Sequence, residues 1–383
     1  VWHDEVFTAM RVFGHDQNEV ARYLFSGRPL ASGDLLAFQR PAPERGWSDT
    51  LRALMDHPEH SPLYYLAARA VAHVVDDPLL ALRGTSALLS ILLIPAVFWL
   101  ARELFPDRKV AWLAAVLVSL SPLHLLYAQE AREYALWVGV AAAASAAFLR
   151  ALRSGARADW LLYGVLIAVG LYAHLLSVLV MGAHLLYGLA LTRGEGDRLA
   201  VFAGRMGRAL LIAAALFIPW ILVLIDGSHR VEQVTGWMAR DIGPARVFEA
   251  WGMHLVRSFA DVPALGHWLL VGLLPLGWWL SSFALDGPRS ALLFCVILLT
   301  AFALVVLLPD LLLGGSRSLH PRYALPGLVA VELAVAWALV AAWDAPSAVR
   351  RRSARVGLLV VLGAALYSGF LILRAETWWS KNF

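Results

Sequence analysis

The chain has little of what soluble enzymes are built from. It has a single cysteine, Cys295, within the apolar run ALLFCVILLT, which excludes an internal disulfide and a cysteine metal cluster. Only 16% of its 383 residues are charged, whereas a soluble domain carries about 25%. Hydrophobic residues make up 60% of the chain. This composition indicates a membrane protein.

Several sequence motifs that would indicate a particular function are also missing. The 12 histidines do not occur in an HExxH pattern, and no Walker loop or dinucleotide fingerprint occurs. We therefore expect neither a zinc site nor a nucleotide-driven pump. The net charge is +4, but there is no basic helix or aromatic RNA-binding signature, so we expect no nucleic-acid partner.

Long apolar runs dominate what is present. A membrane-spanning helix needs about 20 mostly apolar residues, and we read ten such segments along the chain. The boundary between the fourth and fifth, near His174, is the least marked. The predicted spans are 84–101, 110–127, 132–150, 160–175, 176–192, 208–225, 265–283, 291–309, 324–342 and 356–373.

Charge differs between alternate breaks in this pattern. The breaks after the odd-numbered spans hold 15 Lys and Arg, while the short breaks on the other side hold three. The positive-inside rule places the basic set in the cytoplasm. We therefore predict a multi-pass protein of the cell inner (plasma) membrane, with the other set of loops extracytoplasmic.

This topology divides the chain into three parts. Residues 1–83 form an extracytoplasmic first loop with juxtamembrane helices, 84–373 form a helical bundle with an outer loop at 226–263, and 374–383 form an outer tail. An even number of spans leaves both ends outside, so we expect a further transmembrane helix upstream of residue 1. The predicted fold class is an all-α membrane bundle.

Polar side chains cluster at the predicted outer ends. Charged groups near membrane depth are costly and suggest function. A purely structural role is the alternative to function for some of these residues. Glu130 and Arg132 could form an ion pair, and Arg317 could lie among lipid headgroups. The outer set comprises the acids Asp4, Glu5, Glu130 and Glu133, the histidines His57, His60, His174 and His320, and Arg132, Tyr134, Arg317, Arg322 and Tyr323.

The order of these segments resembles a known family. "WHDE", "HPEHSPLYYLAARAV", "SPLHLLYAQEAREYAL", "LYAHLL" and "HPRYALPG" are similar to membrane-embedded glycosyltransferases of the GT-C fold. More narrowly, they resemble the bacterial family-39-like, protein-mannosyltransferase-related and aminoarabinose-transferase-related enzymes. The resemblance covers residues 1–192 well and 310–345 moderately.

This resemblance implies an enzyme that moves a sugar from a polyprenyl-phosphate carrier to a lipid, glycan or protein acceptor on the outer face. It implies Asp4 as the catalytic base, with Glu5 beside it. The position of a phosphate-binding Lys in the aminoarabinose transferases is occupied by His60, so Arg322 is the more secure phosphate partner. The implied substrate-binding set is His57, His60, Tyr64, Glu130, Arg132, Tyr134, His174, Arg322 and Tyr323.

Direct attack on the sugar would invert its anomeric centre, and phosphate leaves as an anion without a second carboxylic acid. Asp4, Glu5 and Glu130 are a candidate set for a divalent metal, but we expect none. Two other functions stay open. The arginines of 226–263 would suit a polysaccharide ligase or polymerase that uses a lipid-pyrophosphate glycan. A lipid-linked glycan transporter would need polar groups throughout the bilayer.

Overall fold

A computed structural model describes residues 3–227, 238 and 240–376, and all the regular elements in those ranges are helical. Five short helices precede the apolar bundle. Asp16 accepts a hydrogen bond from the Glu19 backbone N–H at 2.8 Å, so it caps the second helix. These helices are His3–Val12 (α1), Gln17–Leu24 (α2), Ser32–Ala37 (α3), Trp47–Met55 (α4) and Leu63–Val71 (α5).

Arg69 on α5 fastens this outer layer together. Its guanidinium donates to the Val12 carbonyl at 2.9 Å and to the Thr50 hydroxyl at 3.3 Å, so it joins the end of α1 to α4. Tyr64 and Tyr65 of the same helix are fully buried. One face of α5 thus packs against protein, while its position along the membrane surface stays a prediction.

The bundle follows with α6 starting at a cap, because Asp77 accepts from the Leu80 N–H at 2.8 Å. A 3₁₀ segment, Pro263–Gly272, leads into the helix Leu273–Asp286. The helices are Pro78–Ser90 (α6), Leu93–Leu104 (α7), Arg108–Leu120 (α8), Pro122–Ala128 (α9), Tyr134–Ser154 (α10), Arg157–Ala173 (α11), Ser177–Leu191 (α12), Gly196–Asp226 (α13), Pro244–Arg257 (α14), Leu273–Asp286 (α15), Arg289–Leu313 (α16), Leu325–Trp343 (α17) and Ala348–Arg374 (α18).

The chain is an integral multi-pass membrane protein. Among the described residues, seven helical segments are long and apolar enough to cross a bilayer, and α8 with α9, bent by 56°, would make an eighth. Helix α12 is apolar but shorter. Each of the ten predicted spans is largely helical, but 84–101 and 110–127 each run across a break between two helices, and ten crossings remain a prediction.

The basic loops meet one another at one end of the bundle. Ion pairs join loops that lie far apart in sequence, as the predicted topology requires of loops on one side. They are Lys109–Asp344 at 2.7 Å, Arg153–Glu103 at 2.9 Å and Arg350–Asp286 at 2.8 Å.

The first segment, predicted to be outer, contacts two helices of the bundle. The Ser61 hydroxyl donates to the Leu171 carbonyl at 2.8 Å, and the Trp220 indole donates to the Pro58 carbonyl at 3.3 Å. Helices α10 and α17, the most buried of the bundle, both begin near this meeting point. Of the predicted outer loop, 228–237 and 239 lie outside the described residues, as do 377–383 of the predicted tail.

Candidate active site

A cavity of about 730 Å³ lies where α1 meets the loops before α10 and α17. Asp4, in the first turn of α1, projects into it and accepts a hydrogen bond from Arg322 Nη1 at 2.6 Å. Arg322 belongs to a short 3₁₀ turn, Pro321–Tyr323, just before α17. The two residues that the sequence singles out most strongly are therefore in direct contact.

Glu5 faces elsewhere. Consecutive residues on a helix point about 100° apart, and Glu5 does not line the large cavity. Its buried carboxylate accepts two hydrogen bonds from Arg83 on α6, at 2.9 and 2.7 Å, and one from the Ala131 backbone N–H at 2.9 Å. The structure thus gives Glu5, predicted as catalytic, the position of a tether that holds α1 against the bundle.

The loop that carries Arg322 is anchored by Asp310 of α16. Asp310 accepts from Arg317 at 2.9 Å and from the Ser318 N–H at 2.6 Å. From α14, the His254 Nε2 lies 2.8 Å from the Ser318 carbonyl. Arg317 therefore serves as an anchor of the loop and does not line the cavity.

Arg132 and Tyr134 enter the cavity from the turn before α10. Arg132 Nε lies 3.5 Å from Glu133 Oε2, and Arg132 is 6% exposed. The guanidinium carbons of Arg132 and Arg322 lie 5.6 and 5.7 Å from the centre of the Tyr134 ring. Cation–π attraction adds about 1 kcal/mol or more per desolvated contact, so Tyr134 helps to hold both cations in place.

His60 lies between two carboxylates. Its ring nitrogens are 3.7 Å from Glu59 and 3.8 Å from Glu133, and His57 Nδ1 lies 3.3 Å from the same Glu59 oxygen. Burial lowers the pKa of His60 to about 4, and the charge of Arg11 acts in the same direction. His60 is therefore neutral near pH 7, where it can exchange hydrogen bonds but adds no positive charge.

The carboxyl of Asp4 is strongly acidic. Burial raises its pKa, but the charges of Arg132 and Arg322 outweigh that effect and bring the pKa down to about 2. Asp4 is consequently ionised throughout the physiological range. While Arg322 stays attached, Asp4 is a weak proton acceptor.

The remaining predicted residues divide into two groups. His174 stacks on Trp137 at 4.2 Å and lines the cavity, as does Tyr323. Tyr64 and Glu130 do not line it. The Tyr64 hydroxyl donates to the Leu82 carbonyl at 2.9 Å, and Glu130 is buried and acts electrostatically on Arg83.

The cavity also contains charged groups that the sequence did not single out. Arg11 lies on the same face of α1 as Asp4, since seven residues make nearly two turns. An amphipathic reading of residues 3–12 would have found it. The unpredicted lining residues include Arg11, Asp56 and Glu59. Within the described ranges, no three His, Cys, Asp or Glu side chains converge as metal ligands would.

A second, mostly apolar pocket of about 210 Å³ adjoins the first. Tyr134 lines both, so its ring forms part of the wall between them. The other walls come from α7, α8, α9 and α10, with side chains such as Ile94, Val118 and Val138. A polar cavity next to an apolar pocket suits an amphiphilic ligand.

Comparison with known proteins agrees with this architecture. Residues 56–223 match the family model described as dolichyl-phosphate-mannose-protein mannosyltransferase. No curated protein is a significant match to the sequence.

Solved structures share the fold. ArnT from Cupriavidus metallidurans bound to undecaprenyl phosphate matches with a TM-score of 0.54 at 17% identity, over 84% of this chain and 56% of that one. The apo oligosaccharyltransferase of Archaeoglobus fulgidus matches at 0.53 with 14% identity, over 81% and 47%. The chain thus spans about half the length of these proteins. Both have the GT-C fold, and the expected fold is confirmed.

Proposed function

Because the chain has the GT-C fold, we propose that it is a membrane glycosyltransferase that takes a sugar from a polyprenyl-phosphate carrier. Asp4 is the general base, Arg322 holds the carrier phosphate, and the acceptor is a lipid, glycan or protein on the extracytoplasmic face. The observation that carries the proposal is the contact between Asp4 and Arg322 in the large cavity. It joins the two groups that such a transfer needs, a proton acceptor and a phosphate-binding cation.

The chemistry is a single displacement. An acceptor oxygen or nitrogen attacks the anomeric carbon, the bond from that carbon to the phosphate oxygen breaks, and the phosphate leaves with the electron pair. Asp4 takes the proton of the attacking group. Attack opposite the leaving phosphate inverts the anomeric centre, and Arg322 stabilises the charge that develops on the phosphate.

Donor binding would also activate the base. With Arg322 attached, the pKa of Asp4 is about 2, which is too low for efficient proton transfer at neutral pH. A phosphate that draws Arg322 away removes the closest stabilising cation, so the pKa of Asp4 rises. The pair therefore links arrival of the donor to the readiness of the base.

Two features support a lipid-linked donor. The similar ArnT structure is bound to undecaprenyl phosphate, and the apolar pocket beyond Tyr134 offers an apolar wall next to the polar cavity. We place the first units of the prenyl chain in that pocket and the phosphate at Arg322. His60, neutral near pH 7, would orient the phosphate or sugar by hydrogen bonding.

The direct test uses the full chain reconstituted in lipid vesicles with radiolabelled polyprenyl-phosphate sugars and a membrane extract as the source of acceptors. Transfer of label to a lipid, glycan or protein supports the proposal. Transfer from lipid-pyrophosphate oligosaccharides alone would replace it with the ligase or polymerase function. The proposal involves no metal or cofactor, so the activity should survive a chelator such as EDTA.

A further inference from the structure

Arg11 occupies an unusual position for a charged side chain. It is 7% exposed, lines the large cavity and packs at 5.7 Å from the Phe7 ring. Its Nε and Nη1 donate to no acceptor in the described part of the chain. A guanidinium has five N–H donors, and burying them unpaired costs free energy.

The free-energy cost of burying Arg11 is reflected in its pKa. Burial lowers the pKa of Arg11, and the positive charge of Arg132 lowers it further. The carboxylates of Glu59 and Glu133 act in the opposite direction, but neither hydrogen-bonds to Nε or Nη1. A guanidinium stays protonated in proteins, so a buried cation with open donors faces this cavity.

The other arginines in the cavity already lie beside a carboxylate, although the Nε of each also makes no hydrogen bond. Arg322 is paired with Asp4 at 2.6 Å, and Arg132 lies 3.5 Å from Glu133. His60 is the remaining candidate from the sequence, but it is neutral near pH 7. An entering anion would break an ion pair at Arg322, whereas at Arg11 it would satisfy donors that are already open.

We propose that Arg11 binds the phosphate of the donor. Arg11 would supply the positive charge that the sequence assigns to the position of His60. This inference rests on the proposed function, since it names the residue that first receives the carrier phosphate. Arg11 would hold the phosphate by charge-assisted hydrogen bonds from Nε and Nη1. Arg322 would then turn from Asp4 to the same phosphate.

The test measures binding of geranyl phosphate, a short polyprenyl phosphate, to the purified full chain in detergent at pH 7.5, with geraniol as the phosphate-free control. Arg11→Gln should weaken geranyl phosphate at least tenfold, because hydrogen bonds from a charged group are worth about 1.5–3 kcal/mol. It should leave geraniol binding unchanged. His60→Gln should change geranyl phosphate binding less than threefold.

Arg22→Gln, on the exposed face of α2, is the matched control for removal of one positive charge. The melting temperature without ligand separates binding from structure. Because Arg11 has open buried donors, Arg11→Gln should leave the melting temperature unchanged or raise it, while a scaffold arginine would lower it.

Each further outcome has a definite reading. Equal binding by wild type and Arg11→Gln would overturn the inference but leave the proposed function standing. Failure of the wild type to bind geranyl phosphate at all would overturn both. If inorganic phosphate displaces the probe at the same concentration, Arg11 is a general anion site and the assignment to the lipid carrier is wrong.

Discussion

Asp4 Oδ2 and Arg322 Nη1 lie 2.6 Å apart, although 318 positions separate the two residues in the chain. The contact links the beginning of the chain to a late part of it, because α1 belongs to the first segment and Arg322 leads into one of the last helices. The charge of Arg132 and the charge and hydrogen bond of Arg322 together lower the pKa of Asp4. This pairing is the basis of the predictions that follow.

The Asp4→Asn variant should lose transfer by a factor of about 10²–10⁴, the usual contribution of a general base. The Arg322 side chain is only 13% exposed, but it lines a cavity that also contains Glu59 and Glu133, so the fold should persist. Initial rates with a labelled donor, beside a melting curve, measure both quantities. Asp76→Asn, at an exposed position outside the cavity, is the control. A fully active Asp4→Asn enzyme would remove Asp4 from the mechanism.

Replacing the neighbouring acid should have a different result. Glu5→Gln removes the buried carboxylate that accepts hydrogen bonds from Arg83 and the Ala131 N–H. This should lower the free energy of unfolding by about 1–3 kcal/mol. Part of that cost is relieved because Arg83 reaches solvent. We expect a lower melting temperature and a proportionate loss of active protein, with kcat per folded molecule retained. Loss of kcat without loss of stability would make Glu5 a catalytic residue after all.

Arg322→Ala should act on the donor. Loss of charged hydrogen bonds to the phosphate should raise the donor KM at least tenfold and leave the acceptor KM within about twofold. Steady-state kinetics with each substrate varied in turn gives both constants. Arg352→Ala, at an exposed site in the basic loop, is the matched control. A larger effect on the acceptor than on the donor would place the phosphate elsewhere.

His60 should make stability depend on pH. Its pKa falls from 6.5 when unfolded to about 4 when folded, so the unfolded chain binds the proton first as the pH drops. Stability is therefore full above about pH 6.5 and declines towards pH 4, by at most about 1.4 kcal/mol per pH unit from this group. Melting temperatures of the wild type should fall across that window more steeply than those of His60→Gln. Parallel curves would contradict the prediction.

Cysteine labelling can place the site relative to the membrane. The one native cysteine, Cys295, is buried, so an introduced cysteine gives a clean signal. In right-side-out vesicles, a membrane-impermeant maleimide should label Ser48→Cys in the outer layer but leave Ser353→Cys in the basic loop unlabelled. Both serines are exposed. The reverse pattern would put the site in the cytoplasm.

Sequence reasoning succeeded where apolar length and charge dominate. Each of the ten predicted spans is largely helical, and basic loops that lie far apart in sequence contact one another, as expected of loops on one side. Most of the predicted site residues line one cavity, including Asp4, His60, Arg132 and Arg322. Local polarity at helix ends was enough to find them.

Sequence reasoning did less well where the role of a residue depends on which face of a helix it occupies. Asp4 and Glu5 are adjacent, yet one enters the cavity and the other binds Arg83. Arg11 shares the face of Asp4 only because residues 3–12 form a helix, which the sequence analysis does not predict. The pairing of His60 with Glu133 also depends on distant elements, so its neutral state could not be foreseen.

The tether between Glu5 and Arg83 has a consequence for the geometry of the reacting pair. It fixes α1, and with it Asp4, to α6, while Asp310 of α16 fixes the loop of Arg322. Both partners are thus fastened to helices of the bundle, and neither depends on lipid for its position. Their separation is a property of the protein and is independent of bilayer thickness, whereas the depth of a lipid phosphate follows the bilayer.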